Sequence, residues 1–399
     1  MPKSEPILIV GGGLGGLTTA LALARRGRAS CVLEGAPEFG AIGYGIQFGP
    51  NVFHVFDRIG LTEQVMAVAD SPAAVLMMDA LTGKELIRIP TGASFRARFK
   101  HPYIIVHRVD VHNVLLDACR QNSAVELVAN AMVTGFQDRG DAVEVTTADG
   151  RTFSGAALVA ADGVRSLFRT GLIGDGEPRP IGYVALRTIV PMSELKAEVP
   201  RDCVVLWGGP GLHVVHYPLR HGGEFNIVNV YRTAAHAERL DATAARAELN
   251  HAYRDTQPAA RELVGMMDLR WRRSIGDRDP VRHWHEGRIV LLGDAAHAPL
   301  QSLAQGAGMA IEDGLCLAEA VHAAEGDFPA AFGRFQSARL LRTARVQLES
   351  RAMWDFYHLD EGIARDVRNA TVAAWDEAHM FDCLAWLYDG AAFPGEIGH

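Results

Sequence analysis

Residues 11–16 read Gly-Gly-Gly-Leu-Gly-Gly and stand between an apolar run at residues 6–10 and an alanine- and leucine-rich stretch at residues 17–26. This pattern predicts a strand, a tight turn and a helix, and Gly27 is placed to end that helix. A second apolar run, residues 31–33, follows the helix. Because a strand, a helix and a second strand in succession favour parallel pairing, the stretch predicts a parallel sheet at the front of the chain.

The spacing of these glycines indicates a nucleotide site. A G-x-G-x-x-G segment between a strand and a helix lets backbone amides approach a pyrophosphate at the helix N-terminus. Glu34 stands about 20 residues further on, where a carboxylate can accept hydrogen bonds from both hydroxyls of a ribose. The motif does not separate FAD from NAD. The candidate cofactor-binding residues of this segment are Gly11, Gly13, Leu14, Gly15, Gly16 and Glu34.

The composition limits the class of protein. A chain of 399 residues exceeds the usual span of one hydrophobic core, so we expect two domains. A net charge of -8 without a dense basic run argues against nucleic acid or an anionic membrane as the partner. No run approaches the roughly 18 apolar residues that cross a bilayer, and we expect a cytoplasmic protein without a transmembrane segment. The five scattered cysteines fit neither a disulfide framework nor a metal site.

The rest of the chain indicates a second domain that interrupts the first. Residues 142–153 carry a hairpin signal and residues 156–161 read as a buried strand, whereas residues 203–207 and 224–230 are strand-like segments in a stretch of alternating character. Residues 310–351 look helical apart from a short break. We therefore predict an α/β fold, α+β overall, with a Rossmann-like domain built on a parallel sheet, a mostly antiparallel second domain and a C-terminal helical segment.

Six segments make up these predicted domains. The nucleotide-binding domain comprises residues 1–75, 103–180 and 283–350. The second domain comprises residues 76–102 and 181–282, and the helical segment comprises residues 351–399.

Two further segments, each after an apolar run, combine glycine with aspartate. Residues 161–166 read Ala-Asp-Gly-Val-Arg-Ser, and residues 293–297 read Gly-Asp-Ala-Ala-His. They resemble the Asp-Gly and Gly-Asp motifs of the single-component flavoprotein aromatic hydroxylases, and they follow the N-terminal glycines in that family's order. The resemblance implies that the first domain binds FAD. It also implies NADH as a transient co-substrate, O2 as the oxidant and a small aromatic acid as the substrate.

The resemblance assigns further residues to FAD. Asp294, at the end of a predicted strand, is suited to hold the ribityl hydroxyls, and residues 305–308 open a helix whose N-terminus can face the pyrophosphate or the flavin ring. Arg108 resembles the family arginine that contacts the FAD phosphates, and Asp110 is placed to cap the helix that follows. The other flavin residues that the resemblance implies are Gln47, Asp162, Gly306, Ala307 and Gly308.

Residues 212–220 and 299–303 resemble a narrower branch of the family, which acts on small phenolic acids. Related hydroxylases usually carry proline where Gln301 stands. The resemblance places His213 and Gln301 at the hydroxyl group of the substrate, and Tyr103 near its carboxylate.

Activation of a phenol calls for a base or a hydrogen-bond partner, because its pKa of roughly 10 leaves it protonated at neutral pH. His213 is the candidate base. Tyr217 lies on the same face of the predicted strand as His213, and His216 faces away. His213, Gln301 and Tyr217 are therefore the candidate catalytic residues, and Tyr103 joins them in the substrate site.

Several alternatives stay open from the sequence. A salicylate-type hydroxylase would remove the carboxylate from the ring, and a flavin halogenase would carry a Trp-x-Trp-x-Ile-Pro run that this sequence lacks. A flavin-binding or ligand-sensing protein without catalytic activity is a third reading. The helical tail, with Trp354, Phe356, Tyr357 and Trp386, either covers the second domain or joins the interface of a homodimer.

Overall fold

The computed structural model describes residues 5–41, 43–233 and 241–391. The first and last residues of the predicted domains, 1–4 and 392–399, lie outside the described residues. The strands are β1 (Ile7–Val10), β2 (Ser30–Leu33), β3 (Gly45–Phe48), β4 (Ala69–Asp70), β5 (Ala74–Asp79), β6 (Glu85–Pro90), β7 (Ile104–His107), β8 (Val125–Val128), β9 (Val133–Asp138), β10 (Val143–Thr147), β11 (Thr152–Gly155), β12 (Ala157–Ala160), β13 (Arg179–Pro191), β14 (Val204–Gly209), β15 (Leu212–Leu219), β16 (Glu224–Arg232), β17 (Arg273–Asp277), β18 (His285–Glu286) and β19 (Ile289–Leu291).

Helices of very different length connect and cover these strands. The α-helices are α1 (Leu14–Arg25), α2 (Pro50–Ile59), α3 (Thr62–Ala67), α4 (Ala93–Phe99), α5 (Arg108–Arg120), α6 (Leu167–Leu172), α7 (Ala242–Ala252), α8 (Pro258–Gly265), α9 (Asp294–His297), α10 (Gly306–Ala323), α11 (Phe328–Tyr357), α12 (Ile363–Val372) and α13 (Glu377–Tyr388). Short 3-10 turns occur at Met192–Glu194, Leu269–Trp271 and Gln301–Leu303.

A six-stranded sheet forms the first layer, in the order β18-β19-β12-β1-β2-β8. Strand β1 pairs in parallel with β12 and β2, and those strands pair in parallel with β19 and β8. All four residues of β1, of β2 and of β12 are buried. Parallel strands covered on both faces are expected to be apolar throughout, which explains the short continuous runs in the sequence. The predicted parallel sheet at the front of the chain is confirmed.

Small residues let helices pack closely on this sheet. A Cβ atom added to Gly15 of α1 would lie 3.0 Å from Ala310 of α10 and 3.0 Å from Leu292. A Cβ added to Gly314 of α10 would lie 2.8 Å from the backbone nitrogen of Thr19. The two helices therefore approach closely because glycine stands at both contacts.

A seven-stranded sheet forms the second layer, in the order β17-β13-β16-β15-β14-β5-β6. Its pairs are antiparallel except for β14 with β5. The prediction of a mostly antiparallel second sheet is confirmed. The predicted hairpin near residue 148 is also confirmed, as β10 and β11 of a separate three-stranded sheet. Strands β5 and β6 come from the early chain, so each sheet is assembled from separated stretches of sequence. The exact domain boundaries stay a prediction.

The C-terminal segment is helical, as predicted, and packs onto the rest of the chain. Helix α13 lies against α4, where the rings of Phe95, Phe99, Phe381 and Tyr388 meet edge to face with centroids 5.5 to 5.9 Å apart. Edge-to-face contacts add to the gain from area burial. Within the described part of the chain, no helix is long and apolar enough to span a membrane.

A buried ionic network joins α10 to α11. Arg339 of α11 donates from Nη1 to Oε2 of Glu312 at 2.6 Å and from Nε to Oδ1 of Asp313 at 2.7 Å, and all three side chains are fully buried. Glu312 also accepts from Arg342, and Asp313 also contacts His297 at 2.6 Å. Each buried charge has a partner of opposite sign, which offsets the cost of its desolvation.

We predict that Arg339→Met destabilises the protein by about 3–5 kcal/mol, because it leaves two buried carboxylates without their shared cation. Chemical denaturation followed by circular dichroism measures this loss. Arg88→Met is the matched control, since Arg88 pairs with Glu85 on an exposed surface and should change stability by less than about 1 kcal/mol. Equal effects of the two substitutions would show that the network does not hold the helices together.

Candidate active site

One cavity of about 980 Å³ lies between the two sheets and the C-terminal helices. It is large enough for a cofactor ring and a small aromatic ligand side by side. The predicted site residues that line it are Gly13, Leu14, Gly15, Gln47, Tyr103, Arg108, His213, Tyr217, Asp294, Gln301, Gly306 and Ala307. The predicted site residues that do not line it are Gly11, Gly16, Glu34, Asp162 and Gly308.

The glycine loop presents the N-terminus of α1 to this cavity. Gly11 has a φ of +110°, and a Cβ there would overlap the carbonyl oxygen of Ala161, so only glycine fits. Gly13 precedes α1. Among the described residues no side chain caps this helix, and a Cβ added to Gly13 would meet none of their atoms within 4 Å. Open space in front of uncapped backbone amides is a suitable place for a phosphate group.

Glu34 follows β2 and contacts the loop directly. Its Oε2 accepts from the backbone nitrogen of Gly12 at 2.8 Å, and its Oε1 accepts from that of Ala36 at 2.8 Å. Each carboxylate oxygen has a further lone pair for a ligand hydroxyl. Glu34 thus holds the loop in place and can still accept from a ribose.

A second wall of the cavity comes from the segment after β19. Asp294 lines the cavity. Burial by the surrounding protein raises the pKa of its carboxyl group, although the nearby His297 and Arg108 act to lower it. The backbone nitrogen of Gly293, which has a φ of +63°, donates to Oδ2 of Asp313 at 3.0 Å and anchors this loop. A carboxylate held in this way is suited to accept from hydroxyl groups of a ligand.

Helix α10 points its N-terminus at the same cavity. Gly306 and Ala307 line it, and in the described part of the chain no side chain caps the helix at Gln305. Gly308 instead packs inward, since a Cβ there would lie 3.1 Å from Val52 and from the side chain of Gln305. The partial positive charge of a helix N-terminus favours an electron-rich ligand group.

Arg108 is a buried cation at the cavity wall. It begins α5, and its guanidinium has no hydrogen-bond or ion-pair partner among the described residues. Burial lowers the pKa of this guanidinium, so an anionic ligand would stabilise its charged form.

Asp162, in contrast, does not line the cavity. Its Oδ2 accepts from the backbone nitrogen of Leu167 at 2.9 Å and supports the start of α6. Its Oδ1 is buried without a partner in the described structure. Its role toward FAD stays a prediction.

Aromatic side chains surround the far end of the cavity. Tyr103 is buried and donates from its hydroxyl to Oε1 of Gln47 at 2.5 Å. Tyr217 lies on β15, four residues beyond His213 and therefore on the same face of the strand, and both line the cavity. Burial raises the pKa of both tyrosines, so their hydroxyl groups stay protonated.

His213 has a partner that the sequence did not reveal. Its Nδ1 lies 2.7 Å from Nε2 of His358, and the two rings stack with centroids 5.0 Å apart. Burial lowers the pKa of His213 to about 3, so its ring is neutral at neutral pH. His216 faces the other side of the sheet and accepts from Nε1 of Trp207 at 3.1 Å, which confirms that it points away from the cavity.

Gln301 also has an unpredicted partner. Nη2 of Arg187, on β13, donates to Oε1 of Gln301 at 3.0 Å, and Arg187 lines the cavity as well. A signal was present in the sequence, because an arginine interrupts an otherwise apolar stretch of that strand. Tyr357, Leu387 and Tyr388 complete the wall, which shows that the C-terminal helices cover the cavity.

These residues fit FAD on several independent grounds. Two helix N-termini and an arginine, none of which has a side-chain hydrogen-bond partner among the described residues, face one cavity, which suits a pyrophosphate and an electron-rich ring. A family model described as an FAD binding domain matches residues 4–327. The chain belongs to the FAD-dependent aromatic hydroxylases, and it is an FAD-dependent aromatic monooxygenase.

Within this family the chain is similar to the 3-hydroxybenzoate 6-hydroxylases. It is 40% identical over 387 residues to the protein of that name from Polaromonas naphthalenivorans, which covers 97% of this chain and 96% of that protein. It is 39% identical to 3-hydroxybenzoate 6-hydroxylase 1 of Aquipseudomonas alcaligenes, with 96% and 97% covered. Among solved structures, Klebsiella pneumoniae HpxO complexed with FAD and uric acid has a TM-score of 0.85 at 25% identity, and covers 97% of this chain and 98% of that one.

We predict that Glu34→Ala weakens FAD binding at least tenfold, because a hydrogen bond to a charged group is worth about 1.5–3 kcal/mol. Titration of the apoprotein with FAD, followed by flavin fluorescence, measures the dissociation constant. Glu38→Ala is the control, since Glu38 is exposed and lies only four residues along the chain. An unchanged affinity in Glu34→Ala would remove Glu34 from the flavin site.

Proposed function

We propose that the enzyme hydroxylates 3-hydroxybenzoate to 2,5-dihydroxybenzoate, with NADH as electron donor and O2 as the oxidant. The observation that carries this proposal is that His213 and Gln301, two polar side chains, line the same cavity as the predicted flavin residues. Similarity over nearly the whole length of the 3-hydroxybenzoate 6-hydroxylases supports it. A homodimer and a cytoplasmic location stay predictions from the sequence.

The flavin end of the cavity, which Gly13, Leu14, Arg108 and Asp294 line, would bind the cofactor. The amides of Gly13 and Leu14 and the guanidinium of Arg108 would hold the pyrophosphate, and Glu34 and Asp294 would hold hydroxyl groups. Bound FAD supplies electron transfer from the nicotinamide and the activation of O2. The protein itself would bind the aromatic acid and orient it toward the flavin.

The aromatic end would position the substrate by its two polar groups. His213 and Gln301 would contact the ring hydroxyl, and Tyr217 would pack beside the ring. Tyr103, whose hydroxyl now donates to Gln47, would donate to the carboxylate instead. A ring bound at both groups presents one carbon to the flavin, and this orientation would set the position of hydroxylation.

The apolar walls of the cavity would exclude water from the reaction. Val75, Leu76, Ile89, Val204, Leu206 and Val215 line the side formed by the second sheet. Water in the site would let activated oxygen escape as hydrogen peroxide rather than react with the ring. The C-terminal helices complete this cover.

The identity of the product separates this proposal from the salicylate-type alternative. With 3-hydroxybenzoate we expect 2,5-dihydroxybenzoate, which retains the carboxylate. Chromatography with mass detection distinguishes it from a decarboxylated diol and from isomers hydroxylated at other positions. With 2-hydroxybenzoate as the substrate instead, release of carbon dioxide and formation of a diol without a carboxylate would favour the salicylate-type reaction.

We predict that His213→Ala lowers the rate of hydroxylation by about 10²–10⁴-fold, because the hydroxyl loses the side chain that activates it. NADH oxidation should continue and yield hydrogen peroxide, so the product formed per NADH should fall while FAD occupancy is retained. Gln301→Ala should show a milder loss, since it removes one hydrogen bond.

The control for this experiment is His322→Ala, because His322 is exposed on α10 and lies outside the cavity lining. It should match the wild type in rate and in product per NADH. If His213→Ala also matched the wild type at full FAD occupancy, His213 would be structural and the proposed mechanism would be wrong.

The electron donor is a further prediction. We expect NADH to be oxidised faster than NADPH in the presence of 3-hydroxybenzoate, as the family resemblance implies. Steady-state rates with both donors at equal concentration test this. Equal rates would contradict the assignment of NADH.

A further inference from the structure

An arginine-rich segment lies beside the cavity, along the edge of the second sheet. Strand β17 is an edge strand, and its first residue, Arg273, pairs with Ala185 of β13. The backbone nitrogen of Asp268, a few residues earlier, donates to Oγ1 of Thr188 at 2.8 Å. This segment therefore runs alongside the part of β13 that carries Arg187, which lines the cavity.

Two guanidinium groups leave the sheet on the same face here. Paired residues of an antiparallel ladder share a face, and so do residues two apart on one strand. Because Arg273 pairs with Ala185, its side chain lies on the face of Arg187. Among the described residues, neither guanidinium has a carboxylate partner, and their hydrogen bonds go to neutral oxygens of Gln301 and Arg272.

Two aromatic rings accompany these arginines. The guanidinium of Arg187 lies over the ring of Tyr44, 5.9 Å from its centroid, and that of Arg273 lies over Trp271 at 5.6 Å. Trp271 is 47% exposed, and it is the sole aromatic among the large, exposed hydrophobic side chains of the described residues. An indole with this much exposed surface can stack on a planar ligand group.

Several charges converge on Tyr44. Burial raises the pKa of its hydroxyl, and the charges of Arg187 and Asp268 act on that pKa in opposite directions. Arg273 and Arg270 act in the same direction as Arg187. Since Arg270 pairs with Asp268 at 2.7 Å, the excess positive charge comes from the other two arginines. In a chain with a net charge of -8, this local excess favours an anionic ligand.

Tyr44 also connects this surface to the flavin end of the cavity. Its carbonyl oxygen accepts from the backbone nitrogen of Arg108 at 2.9 Å, and residues 45–47, which follow it, line the cavity. Burial and the charge of Arg187 lower the pKa of Arg108, so the two arginines are near each other. A ligand with its anionic part on this surface would therefore reach the flavin with its other end.

These side chains form one surface, the basic patch, which comprises Tyr44, Arg187, Arg270, Trp271 and Arg273. We propose that the basic patch binds the diphosphate and the adenine of the nicotinamide dinucleotide, whose nicotinamide then enters the cavity. The inference rests on the proposed function, because it takes NADH as the electron donor. The sequence has no second G-x-G-x-x-G segment, so a second dinucleotide needs other donors for its phosphates.

The two halves of the basic patch match two parts of this ligand. A diphosphate carries two negative charges, and the guanidinium groups of Arg187 and Arg273 are two cations without a carboxylate partner among the described residues. Adenine is planar and stacks on an exposed indole such as Trp271. A small aromatic acid has a single charge and no adenine, so it would use the patch less fully.

The test is a titration of the FAD-loaded enzyme with ADP-ribose, which has the diphosphate and adenine of NADH but no nicotinamide. Ligand-observed NMR measures the dissociation constant. We expect Trp271→Ala to raise it about fivefold or more, because a base stacked on an aromatic ring contributes at that level. Arg273→Gln should raise it up to about fivefold, as is typical of an exposed charge pair. Trp271→Phe and Arg273→Lys, which keep the ring and the charge, should retain most of the affinity.

Steady-state kinetics and ionic strength give two further readouts. The KM for NADH should rise by the same factors, while kcat, FAD affinity and the KM for 3-hydroxybenzoate stay unchanged. Salt screens exposed charges, so the dissociation constant of ADP-ribose should increase with added sodium chloride, and Arg273→Gln should flatten this increase. Arg139→Gln is the matched control and should behave as the wild type, since Arg139 is exposed, pairs with Glu144 at 3.4 Å and lies outside the cavity lining.

Unchanged affinity for ADP-ribose in both Trp271→Ala and Arg273→Gln would overturn the inference. A loss of FAD affinity, or a higher KM for 3-hydroxybenzoate alone, would also overturn it and assign the patch to that ligand. The proposed function is read separately, because ADP-ribose binding requires no turnover. An enzyme that binds ADP-ribose at the patch but forms no 2,5-dihydroxybenzoate would contradict the function and leave the inference standing.

Discussion

The carboxylate of Asp313 holds together the two walls between which a flavin would lie. Its Oδ2 accepts from the backbone nitrogen of Gly293 at 3.0 Å and contacts Nε2 of His297 at 2.6 Å, while its Oδ1 accepts from Nε of Arg339 at 2.7 Å. Burial alone would raise its pKa, but His297 and Arg339 outweigh burial and lower it to about 2. A permanently ionised side chain therefore links the Gly293 loop to helix α10, and this fixes Asp294 relative to the N-terminus of that helix.

Local sequence patterns predict several elements of this fold. The glycines of residues 11–16, the hairpin signal near residue 148 and the alternation in β15 depend on neighbours along the chain, and the structure confirms them. The same holds for the opposite faces of His213 and His216. The extent of α11 was harder to predict, since it continues to Tyr357 without a capping signal where residue 351 was expected to end it.

Contacts between distant stretches could not be predicted from one sequence. His213 and His358 are 145 residues apart, and Arg187 and Gln301 are 114 residues apart. Asp110 shows the same limit. A cap for α5 was the local interpretation, but none of the described side chains caps that helix, and Asp110 pairs instead with Arg220 at 3.0 Å. This arginine stands 110 residues away along the chain, so the sequence around α5 gave no sign of it.

The interleaving of the two sheets determines when the protein can fold during synthesis. Strand β19 pairs with β12, but its residues, Ile289–Leu291, leave the ribosome only after the whole second sheet has been made. Helix α10, which covers α1, comes later still. Until then one edge of β12 and the face of α1 that α10 covers stay exposed, because their partners have not been made. Such a topology delays completion of the first sheet until late in synthesis and prolongs the exposure of apolar surface on the nascent chain.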